Sequence, residues 1–161
     1  MVILLMGVAG SGKTTVARAL AKDLGWPCFD ADDFHPPENI AAMAAGRALT
    51  DAERRPWLDA LRAHIDALLA AGTEAVGTCS ALKAAYRRRL GTDRDAVRLV
   101  YLDGDYETIR RRLAGRTGHF FDPVLLRTQF DVLEVPTGAL AVPIDQPPEA
   151  IVRAIREALG L

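Results

Sequence analysis

A phosphate-loop motif near the start of the chain constrains its fold more than any other feature of the sequence. The apolar run from Val2 to Met6 predicts a short buried strand, and Val16 and Leu20 recur at helical spacing behind the motif. Between them, every position of the pattern G-x-x-x-x-G-K-[ST] is filled, by Gly7, Val8, Ala9, Gly10, Ser11, Gly12, Lys13 and Thr14. The strand, loop and helix together predict a binding site for a nucleoside triphosphate.

Each part of this motif has a defined task in phosphate binding. The glycines let the backbone fold around phosphates and point its N–H groups toward them. The helix that follows contributes the positive end of its dipole. We expect Lys13 to reach the β- and γ-phosphates and the hydroxyl of Thr14 to hold Mg²⁺.

The composition is that of an ordinary globular domain. With 161 residues, 50% of them hydrophobic and 25% charged, the chain is expected to form one domain over residues 1–161. Its formal net charge of −1 gives no overall field that would attract nucleic acid or a membrane surface. Cys28 and Cys79 lie in apolar stretches and lack the spacing of a zinc site or a disulfide framework. We therefore expect buried free thiols and a cytoplasmic protein that binds neither nucleic acid nor membranes.

Strand and helix signals alternate along the rest of the chain. Further strands are predicted at residues 26–30, 74–79, 97–102 and 140–144. Helices are predicted at residues 36–46, 51–72, 81–90 and 105–114, from Pro123 onward, and at the C-terminal end. Five strands separated by helices predict a three-layer α/β/α fold with a parallel sheet covered on both faces. Pro143 cannot donate to a sheet ladder, so the fifth strand should lie at an edge.

Ligands of open parallel sheets bind beyond the carboxyl ends of the strands. In this chain that rule selects the segments 7–14, 30–35, 79–83, 103–105 and 145–148. These five segments are the predicted edges of one site.

Two carboxylates follow the second predicted strand. In an extended segment, alternation would place Asp30 and Asp32 on the same side of the chain. Phosphoryl transfer needs one carboxylate near the hydration shell of Mg²⁺ and another that accepts or orients the proton of the attacking hydroxyl. We expect Asp30 to reach the metal through water and Asp32 to act on the acceptor, while Asp33 caps the next helix in a solvated turn. His35 could hydrogen-bond a polyol hydroxyl or pack against the turn, and the sequence leaves both possibilities open.

Arginines at residues 110–112 and 116 could neutralise charge on the transferring group. An arginine on a closing loop excludes water and stabilises the transition state, and it contributes roughly 10³- to 10⁵-fold in rate in related chemistry. Arg116 and Arg112 are the candidates for this role. The alternative is that the three consecutive arginines mostly form a solvated helix face.

Three further polar residues are candidates for binding the acceptor. Arg54, in the first turn of a capped helix, would suit a carboxylate or phosphate, and the alternative is a surface pair with Asp51. Ser80 and Lys83 follow the third strand, where a hydroxyl, an ammonium group and a predicted helix N-terminus would bind an anion or a polyol. A solvent-facing lysine in a first helical turn is the alternative for Lys83.

Taken together, these segments resemble the gluconokinases, the small ATP-dependent gluconate kinases. The phosphate loop is shared by very many NTPases, but the other matching segments are more specific and run in order over nearly the whole chain. They are Asp30-Ala-Asp-Asp-Phe-His-Pro36 with Asn39-Ile40 and Met43, Leu49-Thr-Asp51 with Arg54 and Pro56-Trp57-Leu58, Cys79-Ser-Ala-Leu-Lys83 with Tyr86-Arg87, Gly118-His-Phe-Phe121, Gln129-Phe130 with Leu133-Glu134, and Ile144-Asp145-Gln146-Pro147.

The resemblance implies transfer of the γ-phosphate of ATP to the 6-hydroxyl of D-gluconate, with Mg²⁺ as the metal. It also implies a fold similar to nucleoside-monophosphate kinases and shikimate kinase, a small flexible lid near residues 115–135, and commonly a homodimer. The implied catalytic residues are Lys13, Asp32 and Arg116. Besides the phosphate loop, the residues implied for ATP are Arg112, Asp145, Gln146 and Pro147. Those implied for gluconate are Asp32, His35, Arg54, Ser80, Lys83, His119 and Gln129.

Two features depart from the family pattern. The connection after Glu134 is short where family members often carry a longer acidic segment, and the fifth strand contains Pro143. A kinase for shikimate or a nucleoside monophosphate is the alternative enzyme, although Ser80-Ala-Leu-Lys83 replaces the glycine-rich turn typical of shikimate kinases. A nucleotide-binding regulatory protein is the third hypothesis, and the N-K-x-D signature of guanine-specific switches does not occur.

Overall fold

A five-stranded parallel sheet forms the centre of the molecule. The computed structural model describes residues 1–115 and 123–161. The strands are β1 (Val2–Met6), β2 (Cys28–Asp30), β3 (Ala75–Thr78), β4 (Val97–Asp103) and β5 (Leu140–Pro143). Their order is β2-β3-β1-β4-β5, and every neighbouring pair is parallel. The predicted α/β fold is confirmed, and the strand that contains Pro143 lies at an edge, as its missing N–H required.

Seven helices within the described residues accompany the sheet. They are α1 (Lys13–Leu24), α2 (Pro37–Ala44), α3 (Asp51–Ala70), α4 (Ala84–Leu90), α5 (Tyr106–Ala114), α6 (Pro123–Val132) and α7 (Pro148–Leu159), and a short 3₁₀ helix covers Ala31–Phe34. None of them combines the length and the hydrophobicity needed to cross a bilayer.

The central strand β1 is buried on both faces and separates two cores. Ile3 and Leu5 belong to a cluster with apolar residues of α1, α5, α6 and α7. Val2, Leu4 and Met6 alternate with them and belong to a second cluster, with residues of α3 and α4. This alternation within one five-residue strand produces the three layers of the fold.

The N-terminus of α3 is fixed by the predicted capping box. The Thr50 hydroxyl accepts from the Glu53 N–H at 3.2 Å, and a Glu53 carboxylate oxygen accepts from the Thr50 N–H at 2.8 Å. Further along α3, the indole N–H of Trp57 donates to the carbonyl of Ala31 at 2.6 Å. Helix α3, which carries Arg54 in its first turn, is thereby joined to the turn that follows β2.

Some local predictions were wrong. The segment after β2 is not extended, because the Asp30 carboxylate accepts from the Asp32 N–H at 3.1 Å and closes the 3₁₀ turn. Asp33 is exposed, but no side chain caps α2. Helix α4 begins at Ala84 rather than at Ala81. Of the two free thiols, only Cys79 is buried, since Cys28 lies at the exposed end of an edge strand.

Gly77 allows β2 to lie against β3, and we predict that Gly77→Ala destabilises the protein. A Cβ at this position would overlap the ring of Phe29, which packs in turn against Phe34 and His64. Forced displacement of a packed ring costs about 1–3 kcal/mol. Urea unfolding monitored by circular dichroism measures the loss.

The matched control is Gly115→Ala. Gly115 has a φ of −81°, and a Cβ there would meet its nearest atom at an ordinary 3.6 Å. The free energy of unfolding of this variant should stay within about 1 kcal/mol of the wild-type value. Equal stability of the two variants would show that Phe29 moves aside without cost.

Candidate active site

The phosphate loop connects β1 to α1 in a conformation that needs its glycines. Gly10 and Gly12 have φ values of +80° and +96°, in the left-handed region that other residues rarely adopt. Gly10 also has no room for a side chain, because a Cβ would lie 2.7 Å from Leu113 of α5. Gly12 is the N-cap of α1, so the first N–H groups of that helix face the loop. The loop therefore offers backbone donors and the positive end of a helix dipole to phosphate groups.

Lys13 is folded back onto this loop. Its ammonium group donates to the carbonyl oxygens of Gly7 and Val8, each at 3.0 Å. Burial lowers the pKa of Lys13, while the negative charges of Asp32 and Asp30 act in the opposite direction. The ammonium group is thus held inside the loop by backbone carbonyls, within the electrostatic influence of Asp32 and Asp30.

Thr14 and Asp30 come together at the first turn of α1. The Thr14 hydroxyl lies 3.5 Å from a carboxylate oxygen of Asp30. A hydroxyl and a carboxylate are hard oxygen ligands of the kind that Mg²⁺ prefers, and Mg²⁺ commonly keeps several waters and takes further ligands from substrate phosphates. Within residues 1–115 and 123–161, no three His, Cys, Asp or Glu side chains gather as a metal cluster. The residues present fit a metal that is bound mainly by phosphate, water and one hydroxyl.

Asp32 lies in the 3₁₀ turn between Asp30 and His35. Desolvation is the main cause that raises the pKa of Asp32, and the negative charge of Asp30 adds to it. The positive charge of Lys13 acts in the opposite direction, as would a protonated His35. A carboxylate whose proton affinity is raised is a better proton acceptor than an ordinary aspartate.

His35 packs against helix α3 and contacts α2, and its Nε2 is the atom left for the polyol hydroxyl that the sequence left open as a partner. Its ring stacks on Trp57 with 4.3 Å between centroids and 14° between planes. The Asn39 amide nitrogen donates to the Glu53 carbonyl at 2.9 Å and lies 3.4 Å from His35 Nδ1. Because that nitrogen can only donate, Nδ1 accepts and the neutral ring carries its proton on Nε2. Burial lowers the pKa of His35, which favours this neutral form.

A cluster of four side chains joins α3 to α4, and we call Asp51, Arg54, Lys83 and Tyr86 the acceptor cluster. Lys83 Nζ lies 3.0 and 3.1 Å from the two carboxylate oxygens of Asp51, and Arg54 lies 3.8 Å from one of them. Tyr86 donates to the same carboxylate and accepts from Arg54 at 3.2 Å. Both cations also lie over the Tyr86 ring, at 5.7 Å for Arg54 and 5.5 Å for Lys83.

Electrostatics fix the charges within this cluster. The hydrogen bonds from Tyr86 and Lys83 lower the pKa of Asp51, and the bond to Asp51 raises the pKa of Lys83. With Arg54, the cluster therefore holds two positive charges and one negative charge at neutral pH. Asp51 and Tyr86 were not among the predicted site residues, although both belong to segments that carried the family resemblance.

Ser80 and Lys83 lie on the connection between β3 and α4, which adopts an unusual conformation. Ala81 has a φ of +45° and is buried, and a left-handed residue other than glycine costs about 1–2 kcal/mol. The N–H of Ala84, at the start of α4, donates to the Glu134 carboxylate at 2.7 Å. The helix N-terminus that the sequence offered to an anion is thus already occupied by a side chain of the protein.

The remaining predicted residues lie around the phosphate loop and β5. The Gln129 side-chain oxygen accepts from the Ala9 N–H at 2.7 Å, so Gln129 contacts the phosphate loop. Arg112 donates to the Ile144 carbonyl, and Gln146 donates to the Pro143 carbonyl at 2.9 Å. Arg112 is thus tied to the end of β5, where the loop with Asp145, Gln146 and Pro147 begins. Arg116 and His119 lie outside the described residues.

Several known proteins similar to this chain are kinases. A family model described as an AAA domain matches residues 2–133. The thermoresistant gluconokinase of Escherichia coli (strain K12) is 41% identical over 162 residues, covering 98% of this chain and 93% of the relative. These matches extend along almost the whole sequence, as the order of the motifs indicated.

Solved structures show the same likeness in three dimensions. A sugar kinase from Janibacter sp., solved without ligand, superposes with a TM-score of 0.90 at 40% identity over 99% of this chain and 94% of that one. A gluconokinase from Sinorhizobium meliloti superposes with a TM-score of 0.85 at 41% identity, over 98% of this chain and 90% of that one. Shikimate kinase from Aquifex aeolicus, at 20% identity and a TM-score of 0.61 over 99% and 96% of the two chains, shares the fold.

The raised pKa of Asp32 can be measured without any ligand. We expect its carboxyl group to titrate above the ordinary value of 3.8, because desolvation and Asp30 both disfavour its charged form. The variant Asp30→Asn removes the neighbouring charge and should move the midpoint downward. Carbon-13 NMR of the labelled side-chain carboxyl group gives both midpoints.

Asp33→Asn is the matched control. Asp33 raises the pKa of Asp32 too, but it is the smallest of the causes, so its removal should move the midpoint less than removal of Asp30. A wild-type midpoint at or below 3.8 would contradict the expectation.

Proposed function

This chain belongs to the gluconokinase family, and on that premise we propose that it transfers the γ-phosphate of ATP to the 6-hydroxyl of D-gluconate, giving 6-phosphogluconate and ADP. One observation carries the proposal, namely that the turn after β2 contacts both halves of the site. At one end of the turn, Asp30 lies 3.5 Å from the Thr14 hydroxyl beside the phosphate loop, and at the other end the His35 ring stacks on Trp57 of α3, three residues after Arg54 of the acceptor cluster. Asp32 belongs to this turn, and we propose that it acts between the group that binds phosphate and the group that binds the acid.

The phosphate loop and its surroundings supply the ATP side. Loop N–H groups and Lys13 would bind the phosphates, and Arg112, Asp145, Gln146 and Pro147 would contact the rest of the nucleotide. The approach of Thr14 to Asp30 supports binding of Mg²⁺ by the hydroxyl directly and by the carboxylate through water. When bound, Mg²⁺ would neutralise charge on the β- and γ-phosphates.

The acceptor cluster suits a sugar acid by its charge. Two cations and one carboxylate leave one net positive charge, which matches the single carboxylate of gluconate. Arg54 and Lys83 would bind that carboxylate, while His35 Nε2, Ser80, Gln129 and His119 are the proposed partners of the hydroxyl groups. The hydroxyl-bearing carbon chain of gluconate would extend from the acceptor cluster toward Asp32.

Asp32 would act on the 6-hydroxyl as that oxygen attacks the γ-phosphorus. The carboxylate accepts the hydroxyl proton, the new P–O bond forms, and the bond to the leaving oxygen of ADP breaks. Lys13 neutralises charge on the transferring group. Arg116, on the proposed lid at about residues 115–135, would add a second positive charge and exclude water.

Two further properties concern the assembly and the location of the protein. We infer a homodimer, as implied by the family resemblance, and a cytoplasmic location, which suits two cysteines that form no disulfide with each other. Light scattering behind a sizing column would measure a mass of two chains for the homodimer.

The decisive experiment is ADP release with Mg²⁺-ATP over a panel of acceptors. We expect turnover with D-gluconate and only background release with other sugar acids, shikimate or nucleoside monophosphates. Asp32→Asn should lower kcat by about 10²- to 10⁴-fold and leave ATP affinity nearly unchanged, since the amide cannot accept the proton. Turnover with a different acceptor would overturn the substrate assignment, and full activity of Asp32→Asn would remove Asp32 from the chemistry.

Arg54→Ala tests whether the acceptor cluster binds the acid. We predict that KM for gluconate rises about 10- to 100-fold, which corresponds to the loss of one charge-assisted hydrogen bond, while KM for ATP stays within about twofold. Initial rates with each substrate varied in turn give both constants.

The control is Arg55→Ala, which removes the neighbouring exposed arginine of the same helix. This variant should leave both constants unchanged. Equal increases in the two constants of Arg54→Ala would mean that Arg54 has a structural role only.

A further inference from the structure

The connection between β3 and α4 carries two proposed acceptor residues, and it is held by a side chain that lies behind it. Arg87 of α4 is only 7% exposed. Its Nη1 donates to the carbonyl of Ala81 at 2.9 Å and to the carbonyl of Leu82 at 3.0 Å. One buried nitrogen thus fixes two successive peptide units between Ser80 and Lys83.

A second residue, Glu134, holds the same connection from the end of α6. The Glu134 N–H donates to the Leu82 carbonyl at 2.9 Å, and its carboxylate accepts from the Ala84 N–H at 2.7 Å. The Leu82 carbonyl therefore receives one donor from Arg87 and one from Glu134. We call this set of hydrogen bonds the loop clamp.

The conformation of the connection explains why a clamp is needed. Ala81 has a φ of +45°, which an alanine does not adopt by local preference. Contacts from outside the connection must therefore impose this conformation, and the loop clamp binds the carbonyl of Ala81 itself and that of the next residue. Without it, Ser80 and Lys83 would sample several relative orientations.

We propose that Arg87 and Glu134 are positioning residues that hold Ser80 and Lys83 in the geometry required for the acceptor. This inference rests on the proposed function and adds to it two residues that act through others. Neither side chain needs to touch the substrate, because Arg87 is buried and the Glu134 carboxylate is bonded to the backbone of α4. The negative charge of Glu134 favours the protonated form of Arg87, whose pKa burial lowers.

The clamp should act on the acceptor and not on ATP. Its hydrogen bonds end at the connection after β3 and at the start of α4, whereas the phosphate loop follows β1 and is contacted by Gln129 of α6. Loss of the clamp would thus loosen one substrate subsite selectively. A purely structural role would lower stability without separating the two KM values.

The test compares Arg87→Met and Glu134→Ala with Arg88→Met, which removes an exposed arginine from the next position of α4. We expect KM for gluconate to rise about tenfold or more in the first two variants, with KM for ATP within about twofold, and no change in Arg88→Met. Glu134→Gln keeps an oxygen acceptor for the Ala84 N–H and should recover most of the loss. If Arg87→Met does not fold, the exposed Glu134 provides the test alone.

Amide exchange provides a measurement that does not depend on activity. The Ala84 N–H should exchange with deuterium about tenfold faster or more in Glu134→Ala than in the wild type, because its acceptor is removed. Unchanged exchange, gluconate KM values within twofold of the wild type, or equal increases for gluconate and ATP would each overturn the loop clamp. If the wild type uses another acceptor, the same KM comparison is made with that acceptor, so failure of the gluconate assignment is distinguished from failure of the clamp.

Discussion

Burial of β1 on both faces is the constraint on which the rest of the structure depends. The strand pairs in parallel with β3 on one side and with β4 on the other, and its five residues alternate between two cores. Parallel pairing places the carboxyl ends of neighbouring strands at one edge of the sheet. The phosphate loop, the Asp30–Asp32 turn and the connection after β3 therefore meet there, although many residues separate them along the chain.

The two halves of the site are joined by helix α3. Its capping box fixes where the helix begins, and the bond from Trp57 to the Ala31 carbonyl ties it to the turn that carries Asp32. Arg54 lies between Thr50 and Trp57 in the sequence, so contacts on both sides of it fix its place on the helix. Preorganisation of this kind reduces the entropy lost when a substrate is bound in a reactive geometry.

Features encoded by adjacent residues could be predicted from the sequence, whereas those that join distant segments could not. The phosphate loop, the capping box and the edge position of the strand with Pro143 each follow from a local rule, and the structure contains all three. The bond from Lys83 to Asp51 spans 32 positions and that from Ala84 to Glu134 spans 50. No periodicity or spacing reports such contacts. The same limit explains the wrong start of α4, because the first N–H of that helix is bonded to the distant Glu134 and Ala81 before it is left-handed.

The proposed binding groups are already paired within the protein, and the strength of that pairing matters for binding. Lys13 donates to loop carbonyls, while Arg54 and Lys83 share Asp51. Exposed ion pairs are typically worth about 0–1 kcal/mol, so a substrate carboxylate that competes with Asp51 loses little affinity. The same pairs keep long, flexible side chains in one arrangement before the substrate arrives, and each immobilised side chain would otherwise cost about 0.5–1.5 kcal/mol on binding. Asp51 therefore offers little resistance to the acid while it holds both cations beside Tyr86, and this arrangement favours a subsite that is formed before the acid binds.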